Sequence, residues 1–62
     1  MSHKPMKNQF IRLRSAKGEI HRVVIDVNGE MIAVCRQEEL DASLLEHRPP
    51  KVSWFPMMDI LS

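Results

Sequence analysis

The sequence predicts a small α+β fold, a three-stranded antiparallel meander followed by one helix and a short C-terminal strand in the order β-β-β-α-β. Three observations carry that prediction. Gln9-Phe10-Ile11-Arg12-Leu13-Arg14 alternates polar and apolar residues with the period of a half-buried strand. Asn28-Gly29 separates two runs rich in β-branched residues, the signature of a hairpin. Residues 37–48 carry acids at the front, leucines in the middle, His47 and Arg48 at the back and Pro49-Pro50 beyond, which reads as a helix of about three turns.

The first strand turns back through Ser15-Ala16-Lys17-Gly18. A three-residue loop Ala16-Lys17-Gly18, with Gly18 left-handed, would pair Leu13 with His21 and Ile11 with Val23. With Asn28 and Gly29 as a two-residue type I′ loop, Ile25 faces Ile32 and Val23 faces Val34. These registers put Ile11, Leu13, Val23, Ile25, Ile32 and Val34 on one face, the expected core. A four-residue first loop would set Phe10 and Arg12 against that core and bury a charge, so the three-residue loop is preferred. The opposite face then carries Phe10, Arg12, Arg14, Arg22, Val24, Asp26, Met31 and Cys35.

In the helix, Leu40, Leu44 and Leu45 form a narrow apolar stripe expected to cover the core face of the sheet. Lys51-Val52-Ser53-Trp54-Phe55 reads as the fourth strand, which Pro56 ends or confines to an edge. Residues 1–8 are expected to form a mobile N-terminal tail and residues 9–62 a single small domain. An open helix-covered sheet and a small curved barrel both fit this pattern.

A chain of 62 residues buries only about 60% of its unfolded surface, so its stability is marginal without a staple such as a disulfide, a metal or oligomerisation. Cys35 is the only cysteine, which excludes an internal disulfide and fits a reducing, cytoplasmic setting. No apolar run is long enough to span a bilayer, and the polar start lacks the apolar stretch of a signal peptide. The net charge of +1 conceals a polarised chain. Residues 1–24 hold six cations against Glu19 alone, giving +5, and residues 25–62 hold three against seven acids, giving −4.

Catalysis is not expected. Cys35 and His21 could act as nucleophile and base, but the expected registers put Arg22 opposite Cys35 and send the two side chains to opposite faces. His3, His21, Cys35 and His47 lack the compact spacing of a zinc site. Gly18 and Gly29 are each explained by a turn, leaving no phosphate loop. Glu38, Glu39 and Asp41 read as a solvated helix start. No cofactor, metal, small-molecule substrate or membrane is therefore expected.

Two binding surfaces remain. The last eleven residues concentrate Trp54, Phe55, Met57, Met58, Ile60 and Leu61, residue types that anchor protein interfaces. They favour a small regulatory or accessory protein, an inhibitor, adaptor or subunit, that binds another protein or a copy of itself. The alternative is a nucleic-acid-binding module. There Phe10, Arg12, Arg14, Lys17 and Arg22, extended by Lys4 and Lys7, would hold a single strand by phosphate pairing and base stacking.

Overall fold

A computed structural model of the chain describes residues 5–61. Its elements are β1 (Phe10–Ser15), β2 (Gly18–Asn28), β3 (Met31–Cys35), α1 (Gln37–Leu45) and β4 (Ser53–Pro56), followed by a 3₁₀ turn over Met57–Asp59. The strands form one antiparallel sheet in the order β1-β2-β3-β4, so the α+β fold and its β-β-β-α-β order are as the sequence predicts. Pro56 lies on the edge strand, where its missing N–H costs no ladder bond.

Both hairpin registers differ from expectation, the first by one residue and the second by two beside its turn and by one beyond the bulge in β2. In the first, Ser15 pairs with Gly18 across Ala16-Lys17, so Leu13 faces Ile20 and Ile11 faces Arg22. The Ser15 hydroxyl shapes this turn by donating to the Gly18 carbonyl (2.8 Å) and accepting from the Lys17 amide (3.2 Å), while Gly18 takes the positive φ of +104°. In the second, Asn28 pairs with Met31 across Gly29-Glu30. Gly29, at φ +62°, supplies the one positive φ that a type II′ loop needs at its first position. A type I′ loop would require Asn28 to adopt positive φ as well, and it does not.

The two slips compensate through β2. Ile11, Leu13, Ile32 and Val34 face the core as expected, but β2 contributes Ile20, Val24 and Val27 instead of Val23 and Ile25. A bulge between Val24 and Asp26 leaves Ile25 outside the ladder, so that Val24 opposes Val34 and Val27 opposes Ile32 on the same side. Val23 is buried on the other side with Ala33 and Cys35. Phe10 and Arg12 therefore sit away from the main core, although this is the register of the four-residue loop, because β2 turns Val24 and not Val23 toward that core.

The helix is shorter than predicted and oriented otherwise. His47 adopts the left-handed conformation (φ 53°) and the Arg48 amide donates to the Ser43 carbonyl (3.0 Å), closing α1 with a Schellman-type stop before the prolines. The inward position is Ser43, whose hydroxyl donates to the Leu40 carbonyl (2.7 Å). Leu44 and Leu45 are 67% and 82% exposed, so the leucine stripe does not cover the core face.

That cover comes from the end of the chain. Phe55, Met57 and Ile60 pack against the cluster of Ile11, Leu13, Val24, Ile32 and Val34. Ile60 forms a bridge with Leu13, the Leu61 amide donates to the Arg12 carbonyl (2.8 Å) and the Met57 amide donates to the Glu30 carbonyl (2.8 Å). One segment thus returns from β4 to the outer edge of β1, satisfying an edge that would otherwise invite association. At the other end of the chain, Pro5 is buried and the Asn8 amide donates to the Val24 carbonyl (2.7 Å). Pro5 and Asn8 are thus docked on the domain, within the stretch expected to be a tail, whose first four residues lie outside the described residues. Among the described residues no helix is long and apolar enough to cross a membrane.

Candidate functional site

The structure divides the six apolar residues of the C-terminal cluster. Phe55, Met57 and Ile60 are half-buried in the core, while Trp54 (48% exposed), Met58 (86%) and Leu61 (38%) present their side chains to solvent. The division follows the strand period. Phe55 opposes Ile32 on the core side, and Trp54 opposes Ala33 on the other. Leu44 and Leu45, assigned to the core by their helical spacing, join the exposed set.

The basic residues divide as well. Arg12 lies in an exposed ionic group: its Nη1 donates to Glu19 Oε1 (3.3 Å), and Glu19 Oε2 is 3.1 Å from His21 Nε2. His21 and Arg12 together hold the Glu19 carboxyl below the usual carboxylate range. Lys7 lies 3.9 Å from Asp26, and Lys4 falls outside the described residues. Arg14, Lys17 and Arg22 have no carboxylate partner among the described residues.

These three cations line one open cleft of about 710 Å³ at the first hairpin, together with Arg36, Phe55 and Asp59. A second depression of about 450 Å³ shares Arg22 and Arg36 with it and reaches Phe10 and His21. Arg36, at the start of α1, has no place in the sequence-derived site because only the chain reversal after β3 brings it to the hairpin. Of the basic residues expected to share a surface, the two openings bring together Arg14, Lys17 and Arg22 with Phe10, without Arg12 and with Arg36 and Phe55 added.

The thiol and the imidazole considered as a nucleophile and base stand differently from expectation. Val23, not Arg22, opposes Cys35, and His21 lies two residues along β2 from Val23, which places His21 and Cys35 on the same side of the sheet. Their environments separate them. Cys35 is buried, and burial followed by the nearby Glu39 carboxylate raises its pKa, favouring the unreactive thiol. His21 is exposed and engaged by Glu19. Among the described residues no group of three or more His, Cys, Asp or Glu is arranged to hold a metal ion.

Glu39, read from the sequence as part of a solvated helix start, is the centre of a clamp. Arg48 donates to it through Nη1 (2.6 Å) and Nη2 (3.3 Å), and the Lys51 amide donates to Oε2 (2.9 Å). The Arg48 hydrogen bonds, then that of the Lys51 amide, lower its pKa to about 2. Arg48 also reaches Glu46 through Nε (3.1 Å) and is held charged by both acids. The clamp ties the first turn of α1 to the chain entering β4 and so fixes where Trp54 emerges. Comparison with protein-family models, with curated proteins and with solved structures gives no match for this chain.

Proposed function

We propose that the chain is a small non-enzymatic regulatory or accessory protein that acts by binding another protein, as an inhibitor, adaptor or subunit. One observation carries this reading. Among the described residues nine large hydrophobic side chains are exposed, against six large ones that are buried (Ile11, Leu13, Val23, Val24, Ile32 and Val34) and five more packed half-buried on them (Ile20, Val27, Phe55, Met57 and Ile60), so nearly as many large apolar groups stand outside the core as within it. Single exposed apolar residues are ordinary on a soluble surface, but this proportion on so short a chain favours a partner that completes the burial. Trp54, Met58, Leu61, Leu44 and Leu45 are the proposed anchors. Trp supplies a large rigid area and Met adapts to irregular pockets.

The mechanism in this reading is steric: the protein occupies a surface of the partner and needs no chemistry of its own. The raised pKa of the buried Cys35 thiol supports a non-catalytic role, and a lone free cysteine supports a cytoplasmic setting. The polarised charge would affect encounter rate and orientation more than affinity.

The test is capture from a nuclease-treated lysate, comparing the wild-type chain with Met58→Asp and Trp54→Ala, together with sedimentation of the purified protein. Point substitutions are used because ending the chain after Pro56 would also remove Met57 and Ile60 from the core. The expected result is a protein, or a second copy of the chain, held by the wild type and released by either variant. Loss of a hot-spot tryptophan should cost about 2 kcal/mol or more. Binding unchanged in both variants, with a folded circular dichroism spectrum, would contradict the proposal.

A further inference from the structure

We infer that the cleft beside the first hairpin is a second binding site, for a short stretch of single-stranded nucleic acid. Four cations from four parts of the chain, Arg14 in β1, Lys17 in the turn after it, Arg22 in β2 and Arg36 before α1, line one opening. None of them is neutralised by an ion pair among the described residues, whereas Arg12 and Arg48 have carboxylate partners. Holding like charges together without partners is unfavourable, so an anionic ligand gains from all four at once.

The shape selects among anions. The cleft and the depression share Ile20, Arg22 and Arg36, so the cations of the first adjoin Phe10 and His21 of the second, with Asp59 and Glu38 the acids of the two linings, and the positive charge is spread over two adjoining openings instead of converging on one point. A ligand with a charge on every unit fits such a spread better than a single phosphate does. Rings accompany the charges. Phe55 contributes to the first opening, and Phe10, 60% exposed, lines the second. An exposed ring such as Phe10 beside unpaired arginines is the combination on which an unpaired base stacks while phosphates are neutralised, with half-buried Phe55 giving an apolar floor to the first opening. Asp59, the single acid of the first opening, repels phosphate there and offers an acceptor to a base amine. An acidic peptide would bring charge but no flat rings for Phe10.

The site is independent of the anchors proposed above, since none of Trp54, Met58, Leu61, Leu44 and Leu45 lines it. The test is fluorescence anisotropy of the purified chain with labelled ten-residue oligo(dT) and oligo(U), a ten-base-pair duplex and a poly-glutamate of equal charge, across a salt series. Single strands should bind more tightly than duplex or poly-glutamate. Arg36→Gln should weaken them several-fold and lower the slope of log affinity against log salt by about 0.7, the release from one single-strand phosphate. Phe10→Ala should weaken them about fivefold or more, equivalent to about 1 kcal/mol of stacking. Arg12→Gln, outside the cleft, should have a smaller effect than Arg36→Gln. Equal binding of poly-glutamate, equal binding of duplex with Phe10→Ala silent, or no binding at low salt would each overturn the assignment.

Discussion

Residues 40–45 and residues 55–60 carry similar apolar side chains, yet they have opposite fates. Phe55, Met57 and Ile60 lie on the core, held by a β-ladder to β3, a bridge to Leu13 and the amide of Met57 on Glu30. Leu44 and Leu45 stand in solvent on a helix whose inward position is a serine. Backbone pairing makes the difference. A segment that completes the hydrogen bonding of a strand edge delivers its side chains to the core at fixed spacing, whereas a helix satisfies its own backbone and is free to leave leucines outside. Apolar character alone does not say which residues hold the fold and which are available to a partner.

The largest expected effect is at the point where the two ends of the chain meet. Leu13 is fully buried and bridges to Ile60, so Leu13→Ala should cost about 3 kcal/mol in urea unfolding. That is a large part of the roughly 3 to 9 kcal/mol typical of a domain this size. A loss under about 1 kcal/mol would mean the core is not organised around this strand. The comparison sharpens with Phe55→Ala and Leu45→Ala. Half-buried Phe55 should cost about 1–3 kcal/mol and exposed Leu45 less than about 0.5 kcal/mol, and equal costs would break it.

A smaller effect is expected at the second turn. Gly29→Ala meets no steric obstacle, so its cost should be that of an L-residue at φ +62° alone, about 1 kcal/mol. A neutral substitution would show that the loop can take another turn type. The last effect tests the clamp that leads into β4. Glu39 has its pKa lowered to about 2, below its ordinary value of 4.5. Its contribution is therefore present above about pH 4.5 and is lost as the pH falls toward 2. Glu39→Gln should flatten the acid limb of a stability-against-pH curve in that window, and an unchanged limb would remove the clamp from the account.

Much of the fold is legible in the sequence because its signals are local. Alternation in residues 9–14, the turn glycines Gly18 and Gly29 and the acids at the start of α1 each act over a few residues, and all the predicted elements form, although the helix stops at Leu45, ahead of the prolines. The registers were not legible to the residue. Asn28-Gly29 satisfies the composition of a type I′ turn, but Gly29-Glu30 satisfies the geometry of a type II′ turn, and the bulge at Ile25 then restores the apolar face. A run of three β-branched residues, Val23-Val24-Ile25, presents an apolar side chain either way and cannot report a one-residue slip. The site was partly legible. Phe10, Arg14, Lys17 and Arg22 are neighbours through one hairpin, but Arg36 and Phe55 reach them only through the tertiary fold, and Glu19 draws Arg12 away.

The most direct test sets Ile60→Asp against Met58→Asp, two changes of the same kind placed two residues apart in the C-terminal segment. Ile60 packs on the core and bridges Leu13, while Met58 is 86% exposed. Thermal unfolding followed by circular dichroism should find Ile60→Asp unfolded or destabilised by about 3 kcal/mol or more, and Met58→Asp within about 0.5 kcal/mol of the wild type. Equal stability of the two variants, in either direction, would contradict the division of this segment into a part that closes the sheet and a part that faces outward.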